Sequence, residues 1–282
     1  MRDLIITGIP RSGTTLAAAI VDQSGDAFCL SEPDSHVELM QTAKDADDFV
    51  ARVRRDFDAT RETLLAGKAV PDKRAGDGAP VTDYVTGAAL GLRRDAVFTI
   101  REVSRPGLSR DFVLGAKHNA LYAAVLPQIV RTGQFRVVAL VRDPVAVLRS
   151  WQSLDLPISQ GRLPAAERFW PEMVALTHSD LELQEKQVRI YDLLCRRFAD
   201  LSRQIEVIRY EALIADPTQL LAASGVRSSL SPTVTVRPLT AGKYENKAGN
   251  AACSARIHEL AAGGSLPGVC HFYPEYQQSL TS

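Results

Sequence analysis

The sequence predicts an α/β protein: a three-layer α/β/α sandwich around a mostly parallel central sheet, of the P-loop nucleotide-binding type. The 282 residues are 45% hydrophobic and 23% charged, which is ordinary for a globular protein with a sizeable core. Short apolar runs alternate with helical stretches along most of the chain. A glycine-rich turn separates the first strand from the first helix, where a phosphate-binding loop belongs.

The first elements form a strand–turn–helix unit. Residues 4–7 are an apolar run that ends at Gly8, and residues 14–23 have helical composition. Further strands are predicted over 96–100 and 112–114, followed by a helix over 119–131.

The clearest strand spans residues 136–141. It is almost wholly apolar, which is typical of a parallel strand buried on both faces. Asp143 then supplies an N-cap and Pro144 a first helical residue, so a helix begins there and runs to about Ser153. The remaining predicted elements are a helical region over 165–203, a strand over 205–209 and a helix over 211–223.

The chain is predicted to form a single domain over residues 1–282. A charged stretch with a Pro/Gly-rich centre is interpreted as a helical and loop excursion from the sheet, over about 41–110. A Ser/Pro/Gly-punctuated stretch begins a C-terminal capping segment over about 224–282. Neither has enough periodic apolar sequence for a core of its own.

Composition excludes several classes of protein. Lys+Arg and Asp+Glu both number 33, so the basic excess of a general nucleic-acid binder is missing. No apolar stretch reaches the roughly 18–20 residues that span a bilayer, and no signal-peptide core follows Met1. The cysteines lack zinc spacing and are interpreted as reduced thiols. A cytoplasmic protein without a metal or a membrane span is therefore expected.

The most informative segment is the loop that begins at Gly8. Its G-x-x-x-x-G spacing is that of a P-loop, but Thr14 stands where the lysine of a nucleoside triphosphatase would follow. Free backbone N–H groups and a helix N-terminus favour an anion at this place. Arg11 is the nearest cation, and the hydroxyls of Ser12, Thr14 and Thr15 add donors. A tight turn that needs glycine for geometry alone is the alternative.

A second candidate site follows the strand over 136–141. Arg142 stands at its carboxyl end, and Ser150 lies two helical turns further on. Ligands of open α/β sheets collect at that edge, so the two residues could hold a second phosphate, with the arginine reaching along the helix to the hydroxyl. A salt-bridging residue at the end of a strand is the alternative for Arg142.

Four segments together resemble the sulfotransferase superfamily that depends on 3′-phosphoadenosine 5′-phosphosulfate (PAPS). They occur in the family's order over about residues 4–217. They are Pro10-Arg11-Ser12-Gly13-Thr14-Thr15-Leu16, Gly115-Ala116-Lys117-His118, Arg142-Asp143-Pro144 with Ser150, and Ile208-Arg209-Tyr210-Glu211-Ala212-Leu213-Ile214-Ala215-Asp216-Pro217. The form of the first loop resembles the bacterial and tyrosylprotein branches.

The resemblance implies in-line transfer of a sulfuryl group from PAPS to a hydroxyl acceptor, with 3′-phosphoadenosine 5′-phosphate (PAP) as product and no metal. Arg142 and Ser150 would bind the 3′-phosphate. Tyr210 would contact the nucleotide unless it is a core residue. Lys243 or Lys247 would do so unless this segment is a solvated basic loop. The loop residues that would bind the 5′-phosphosulfate are Arg11, Ser12, Gly13, Thr14, Thr15 and Leu16.

The resemblance also implies catalytic roles. Arg11 and Lys117 would neutralise the 5′-phosphate and the transferring sulfuryl group, and three residues compete for the role of general base. Glu32 falls where a second strand should end and matches the family's glutamate. His118 adjoins Lys117, although adjacent residues of a strand point to opposite faces. His36, taken as a loop residue, is third.

Two other function classes stay open: a P-loop kinase and a non-catalytic nucleotide-binding protein on the same fold. The missing loop lysine and the lack of a clear strand-Asp magnesium segment speak against the kinase. Loss of function on removing Glu32 and Lys117 would separate an enzyme from a sensor. The sequence does not identify the acceptor, which could be a small molecule, a glycan, a lipid or a protein tyrosine, nor the oligomeric state.

Overall fold

The computed structural model describes residues 3–86, 95–96, 98–153, 155–226 and 247–277. The strands are β1 (Asp3–Gly8), β2 (Ala27–Ser31), β3 (Val70–Arg74), β4 (Val85–Thr86), β5 (Asp95–Ala96), β6 (Thr99–Val103), β7 (Val113–Lys117), β8 (Phe135–Val141) and β9 (Glu206–Arg209). The helices are α1 (Thr14–Asp22), α2 (Asp34–Thr42), α3 (Ala46–Leu65), α4 (Asn119–Ala124), α5 (Leu126–Thr132), α6 (Pro144–Gln152), α7 (Pro164–Glu167), α8 (Pro171–Thr177), α9 (Leu183–Asp200), α10 (Tyr210–Ala215), α11 (Thr218–Ser224), α12 (Lys247–Ala262) and α13 (Pro267–Phe272).

The central sheet has five parallel strands in the order β2-β7-β1-β8-β9. This confirms the α/β fold and the mostly parallel sheet. The chain adds β2 and β7 on one side of β1 and then β8 and β9 on the other. The strand order therefore reverses at β1, and the carboxyl ends beside it form the crevice where such sheets bind ligands.

Both faces of the sheet are buried, which gives the three layers. In β1, Leu4 and Ile6 belong to a cluster with α1 and α11, whereas Ile5 belongs to the larger cluster on the opposite face. That larger cluster includes Phe57 of α3 and Trp151 of α6. The alternation follows from the two-residue period of a strand, and the near-continuous apolar composition from burial on both sides.

Two predicted helices are each divided in the structure. The helix expected over 119–131 separates into α4 and α5 around Val125, next to Pro127 near the start of α5. Proline offers no backbone N–H and clashes with the carbonyl four residues earlier, so the helix cannot continue through it. The helix expected over 211–223 breaks at Asp216, whose extended backbone precedes Pro217, as proline requires of its neighbour.

The described part of the excursion from the sheet contains helices and short strands. It contains the 20-residue helix α3, capped by the Asp45 side chain and buried along Phe49, Val53 and Phe57. This four-residue spacing is typical of an amphipathic helix. The strand expected over 96–100 is not in the central sheet, because β6 pairs with β3 in an antiparallel pair.

The described part of the C-terminal region packs against other helices. Helix α13 contacts α9, and α12 contacts α6. Lys243, one of the predicted nucleotide contacts, lies outside the described residues. No helix in the described residues is long and apolar enough to cross a membrane. The single-domain division of the chain stays a prediction.

Candidate functional site

The candidate site residues lie at the carboxyl edge of the central sheet. The glycine-rich loop leaves β1, Glu32 follows β2, Lys117 ends β7, and Arg142 follows β8. The register places Lys117 opposite both Ile6 of β1 and Ser31 of β2, so these strands end at the same level. Residues from four separate segments thus converge on one edge.

The loop between β1 and α1 needs its two glycines because other groups approach them closely. Gly8 has φ +155°, and a Cβ there would lie 2.5 Å from the carbonyl oxygen of Leu140. Gly13 has φ +91°, and a Cβ would lie 2.3 Å from a ring carbon of Tyr210. Arg11 adopts φ 75°, which side-chain-bearing residues rarely do. The chain is therefore held in an uncommon conformation around the helix N-terminus.

The loop carries polar atoms that no described residue satisfies. Ser12 is fully buried, and its Oγ has no hydrogen-bond partner within the described part of the chain. The same holds for Nε of Arg142, which is also buried. The Nη1 of Arg142 donates to the Arg11 carbonyl at 3.1 Å, and its guanidinium lies 4.7 Å from the centre of the Tyr210 ring. A bound anion would supply the acceptors that these buried donors lack.

Helix α1 begins without a capping side chain. Its N-cap is Gly13, which offers no side-chain hydrogen bond to the first turn. The first backbone N–H groups of such a helix are available to an anion. Thr14 and Thr15 are buried there, and the Thr14 hydroxyl donates to the side chain of Asn119. Leu16 is half-buried and packs against the cluster beneath α1.

Ser150 meets Arg11 rather than Arg142. The Nε of Arg11 donates to Ser150 Oγ at 3.2 Å, across 139 positions of the chain. The direct contact expected between Arg142 and Ser150 does not form, because the loop carbonyl and the Tyr210 ring engage the Arg142 guanidinium. Arg142, Ser150 and Tyr210 nevertheless contact the loop.

The two outer nitrogens of Arg11 bind Asp83. Nη1 and Nη2 donate to the two oxygens of that carboxylate at 3.0 and 3.3 Å. The charged excursion gave no sequence signal that singled out this aspartate.

Lys117 and Glu32 form an ion pair. The Nζ of Lys117 donates to Glu32 Oε1 at 2.5 Å, and the lysine side chain is 1% exposed while that of Glu32 is 26% exposed. Burial alone would raise the pKa of Glu32, but the charge and the hydrogen bond of Lys117 outweigh it and lower the pKa to about 2. Burial lowers the pKa of Lys117 in spite of the nearby carboxylate.

The backbone of Glu32 is strained and held in place. Its φ is 51°, a left-handed value that is uncommon outside glycine. Its N–H donates to the Lys117 carbonyl at 2.7 Å, and its own carbonyl accepts from Lys73 Nζ at 2.6 Å. These bonds place the carboxylate over the end of the neighbouring strand.

The two histidines that compete with Glu32 have other partners. His118 is the N-cap of α4, and its Nδ1 accepts from the backbone N–H of Leu121. Burial lowers the His118 pKa to about 4. His36 lies in α2 and not in a loop; it is fully buried, with Tyr122 on Nδ1 and Asp56 on Nε2. Both ring nitrogens of His36 are therefore engaged, which argues against it as the base.

Tyr84 covers the other side of Lys117. The Lys117 Nζ lies 4.8 Å from the centre of its ring, a cation–π contact. Its hydroxyl donates to Ser31, to the side-chain Oγ at 2.7 Å and to the carbonyl at 3.0 Å. The sequence interpretation missed Tyr84, since no motif contains it.

A cavity of about 200 Å³ opens beside Glu32. Its walls come from β2, α2, α3, β3 and β6. Their residues are Leu30, Glu32, Pro33, Asp34, Ser35, Asp56, Ala59, Thr60, Thr63, Val70, Pro71, Asp72, Lys73 and Ile100. The carboxylate that binds Lys117 thus also lines a cavity large enough for part of a small molecule.

The segment around Tyr210 is tied to the segment around Arg142. Glu211 accepts from the backbone N–H of Asp143 at 2.9 Å and from the Tyr273 hydroxyl at 3.1 Å. The Tyr276 hydroxyl donates to the Asp143 carboxylate at 2.7 Å. These bonds fix the turn that presents Arg142, a positioning role that the sequence interpretation did not assign to Glu211.

The fold and this edge define an α/β protein with a glycine-rich loop at the carboxyl ends of its parallel strands. The model of the Sulfotransferase family matches residues 3–223. The chain belongs to this family, which confirms the resemblance carried by the four segments. The likeness to the bacterial and tyrosylprotein branches stays a prediction.

Two solved structures are similar to the chain. One is a sulfotransferase from Alicyclobacillus acidocaldarius, with 13% identity and a TM-score of 0.44 over 99% of this chain and 97% of that one. The other is a sulfotransferase from Mycobacterium tuberculosis H37Rv, with 13% identity and a TM-score of 0.39 over 82% of this chain and 68% of that one. No curated protein sequence matches the chain.

Proposed function

We propose that this protein is a PAPS-dependent sulfotransferase that transfers a sulfuryl group to a hydroxyl acceptor. Membership of the Sulfotransferase family supports the transferase activity. The choice of donor rests on two buried donors, Ser12 Oγ and Arg142 Nε, which have no hydrogen-bond partner among the described residues. They lie beside the start of α1, which no side chain caps. Buried polar atoms without partners are rare in folded proteins, so a ligand with anionic oxygens fits them.

The residues present fit a nucleotide with two separate phosphate groups. The loop over Arg11–Leu16 would hold the 5′ end, and Arg142 with Ser150 would hold the 3′-phosphate. Tyr210 would lie beside the nucleotide, as its ring against Gly13 suggests. Lys243 stays a predicted contact. When bound, PAPS supplies an activated sulfuryl group, and PAP is left as the product.

Arg11 and Lys117 supply positive charge where the transfer needs it. Both are held at this edge of the sheet: Lys117 by burial against Glu32 and Tyr84, and Arg11 by its bond to Ser150. Cations directed at the transferring group stabilise the negative charge that develops there. This chemistry requires no metal. In the described residues, no group of three or more His, Cys, Asp or Glu could hold one.

Glu32 is the general base in this proposal. With Lys117 bonded to it, its pKa of about 2 makes it a weak base. An anionic ligand that attracts the Lys117 ammonium would withdraw the main influence that lowers this pKa. Burial, which raises it, would then dominate, and Glu32 Oε2 would accept the proton of the acceptor hydroxyl. His118 stays the second candidate.

The acceptor would enter through the cavity beside Glu32. Its mixed wall of apolar and hydroxyl-bearing residues suits a small hydroxyl compound or one end of a larger one. Asp34, Asp56 and Asp72 also line it, which disfavours an acceptor that already carries several negative charges. The cytoplasmic location stays a prediction from the sequence.

Calorimetric titration with PAP tests the donor assignment. We expect PAP to bind with micromolar affinity without metal and ATP with magnesium to bind more weakly. In Arg142→Ala, the affinity for PAP should fall about 100-fold, since a hydrogen bond to a charged group contributes roughly 1.5–3 kcal/mol. Arg131→Ala is the matched control, because Arg131 is an exposed arginine paired with Asp47 away from the site. Tighter binding of ATP with magnesium, or binding of neither nucleotide, would overturn the proposal.

A further inference from the structure

The Arg11 guanidinium already holds an anion, and the protein itself provides it. Asp83 receives two bonds from the Nη1–Nη2 edge of Arg11, at 3.0 and 3.3 Å. We propose that Asp83 is an internal anion that competes with the nucleotide for Arg11 and thereby sets the affinity of the donor site. This inference rests on the proposed function, because it assigns Arg11 to an anionic group of the donor.

The competition follows from the geometry of a guanidinium. Its two outer nitrogens form one edge that binds a carboxylate or a phosphate group in the same two-bond arrangement. Asp83 takes that edge, and the remaining nitrogen, Nε, donates to Ser150. An anionic oxygen pair of a ligand therefore reaches the Arg11 edge only when the Asp83 carboxylate leaves it.

The position of Asp83 is fixed by its neighbour in the chain. The Tyr84 hydroxyl donates to Ser31, and its ring covers Lys117 and contacts Phe98 at 5.2 Å between ring centres. The same short segment therefore places a carboxylate on Arg11 and an aromatic face on Lys117. The two cations proposed to meet the donor are thus contacted by adjacent residues.

The pair is neither an isolated surface contact nor a sealed core contact. The Arg11 side chain is 18% exposed and that of Asp83 is 32% exposed. Asp83 is also near enough to Tyr210 that its charge contributes to raising the pKa of that tyrosine, which burial raises most. The Asp83 carboxylate therefore lies near Arg11 and Tyr210, and a ligand that arrives from solvent can displace it.

The same exchange would run in reverse after the reaction. When PAP leaves, Asp83 returns to Arg11 and stabilises the nucleotide-free protein. An internal competitor weakens the binding of donor and product alike, and product release limits the turnover of many enzymes. Asp83 would thus favour turnover over tight binding.

The test compares PAP affinity among four proteins by calorimetry. Asp83→Asn keeps the shape of the side chain but removes its charge, so we expect PAP to bind about tenfold more tightly. This gain is of the order of what one charge-assisted hydrogen bond contributes to affinity. Asp83→Glu keeps a carboxylate and should stay close to the unmodified protein. Asp77→Asn removes an exposed aspartate of the same region, whose carboxylate accepts a local backbone bond from Ala79. It should leave PAP affinity unchanged.

A double-mutant cycle separates competition from general repulsion between charges. In an Arg11→Ala background, titrated to millimolar PAP, Asp83 has no guanidinium to occupy, so Asp83→Asn should add no affinity. A gain that persists without Arg11 would show simple repulsion and overturn the inference. Unchanged or weaker PAP binding by folded Asp83→Asn would also overturn it while leaving the proposed function intact. If PAP binds none of the proteins, the donor assignment fails and the inference fails with it.

Discussion

The ammonium nitrogen of Lys117 lies 2.5 Å from Oε1 of Glu32, although the two residues are 85 positions apart in the chain. They meet because β2 and β7 are neighbours and Ser31 pairs in register with Lys117. The left-handed turn at Glu32 then directs its side chain back over the end of the adjacent strand. A cation proposed to stabilise the transferring group and the proposed base are therefore one electrostatic unit.

Removal of the Glu32 carboxylate should abolish most of the transfer but leave nucleotide binding. In Glu32→Gln, we expect the rate of sulfuryl transfer from PAPS to a simple phenol, used as the acceptor probe, to fall about 10²–10⁴-fold, the range for a general base. PAP affinity should stay within a few fold, since the loop and Arg142 are untouched. Glu38→Gln changes an exposed glutamate of α2 and is the control. Transfer that continues at the original rate in Glu32→Gln would point to His118.

The same ion pair should make stability depend on pH in a defined window. The folded pKa of Glu32, about 2, is below its ordinary value of 4.5, so its ionised form stabilises the fold above that ordinary value. This contribution should be lost as the pH falls from about 5 to 2. Urea unfolding of the unmodified protein and of Glu32→Gln checks this, and the difference in unfolding free energy should shrink across the window. If the difference in unfolding free energy between the two proteins stays constant down to pH 2, the contact with Lys117 does not lower the pKa of Glu32.

The sequence predicted those parts of the site that lie within one local segment. The glycine-rich loop follows its strand directly, and Arg142 ends a strand whose apolar composition is evident, so both positions follow from periodicity and turn chemistry. The resemblance to a family added Glu32 and Lys117. What links them, the register between β2 and β7, is a tertiary property that no local pattern encodes.

The remaining contacts join distant segments through single side chains. Asp83 lies 72 positions from Arg11, and nothing in the sequence around it distinguishes it from the other aspartates of the charged excursion. The bond expected between Arg142 and Ser150 does not form either, because Ser150 binds Arg11, a residue 139 positions away. Two arginines of similar reach compete for one hydroxyl, and packing of Arg142 on Tyr210 decides between them.

Close packing at Gly13 should make the loop intolerant of a single added methyl group. In Gly13→Ala, the new Cβ would lie 2.3 Å from the Tyr210 ring at a φ of +91°. Gly133→Ala is a matched control, because Gly133 also has a positive φ, +64°, but no atom of the described residues lies within 4 Å of the added Cβ. The free energy of unfolding should fall in both variants by the roughly 1 kcal/mol typical of backbone strain. In Gly13→Ala it should fall further, and PAP should bind more weakly. Thermal unfolding and calorimetry measure the two effects, and equal losses in both variants would show that the Tyr210 contact is unimportant.

Filling the cavity beside Glu32 should impair the acceptor without affecting the nucleotide. Thr60 lines this cavity from α3 and is half-buried, so Thr60→Phe would occupy part of its volume of about 200 Å³. We expect the Michaelis constant for the phenol probe to rise about tenfold or more. A rise of this size corresponds to the roughly 1–3 kcal/mol that a lost contact in a pocket costs. PAP affinity should stay unchanged, because none of the residues of the loop over Arg11–Leu16 lines this cavity.

Glu62→Phe is the control for this substitution, since it places the same ring on an exposed position of the same helix, outside the cavity wall. It should alter neither the Michaelis constant nor PAP affinity. If Thr60→Phe leaves the Michaelis constant unchanged in a folded protein, the acceptor does not enter through this cavity. If it weakens PAP binding instead, the cavity belongs to the donor site, and the proposed entry of the acceptor through it is wrong.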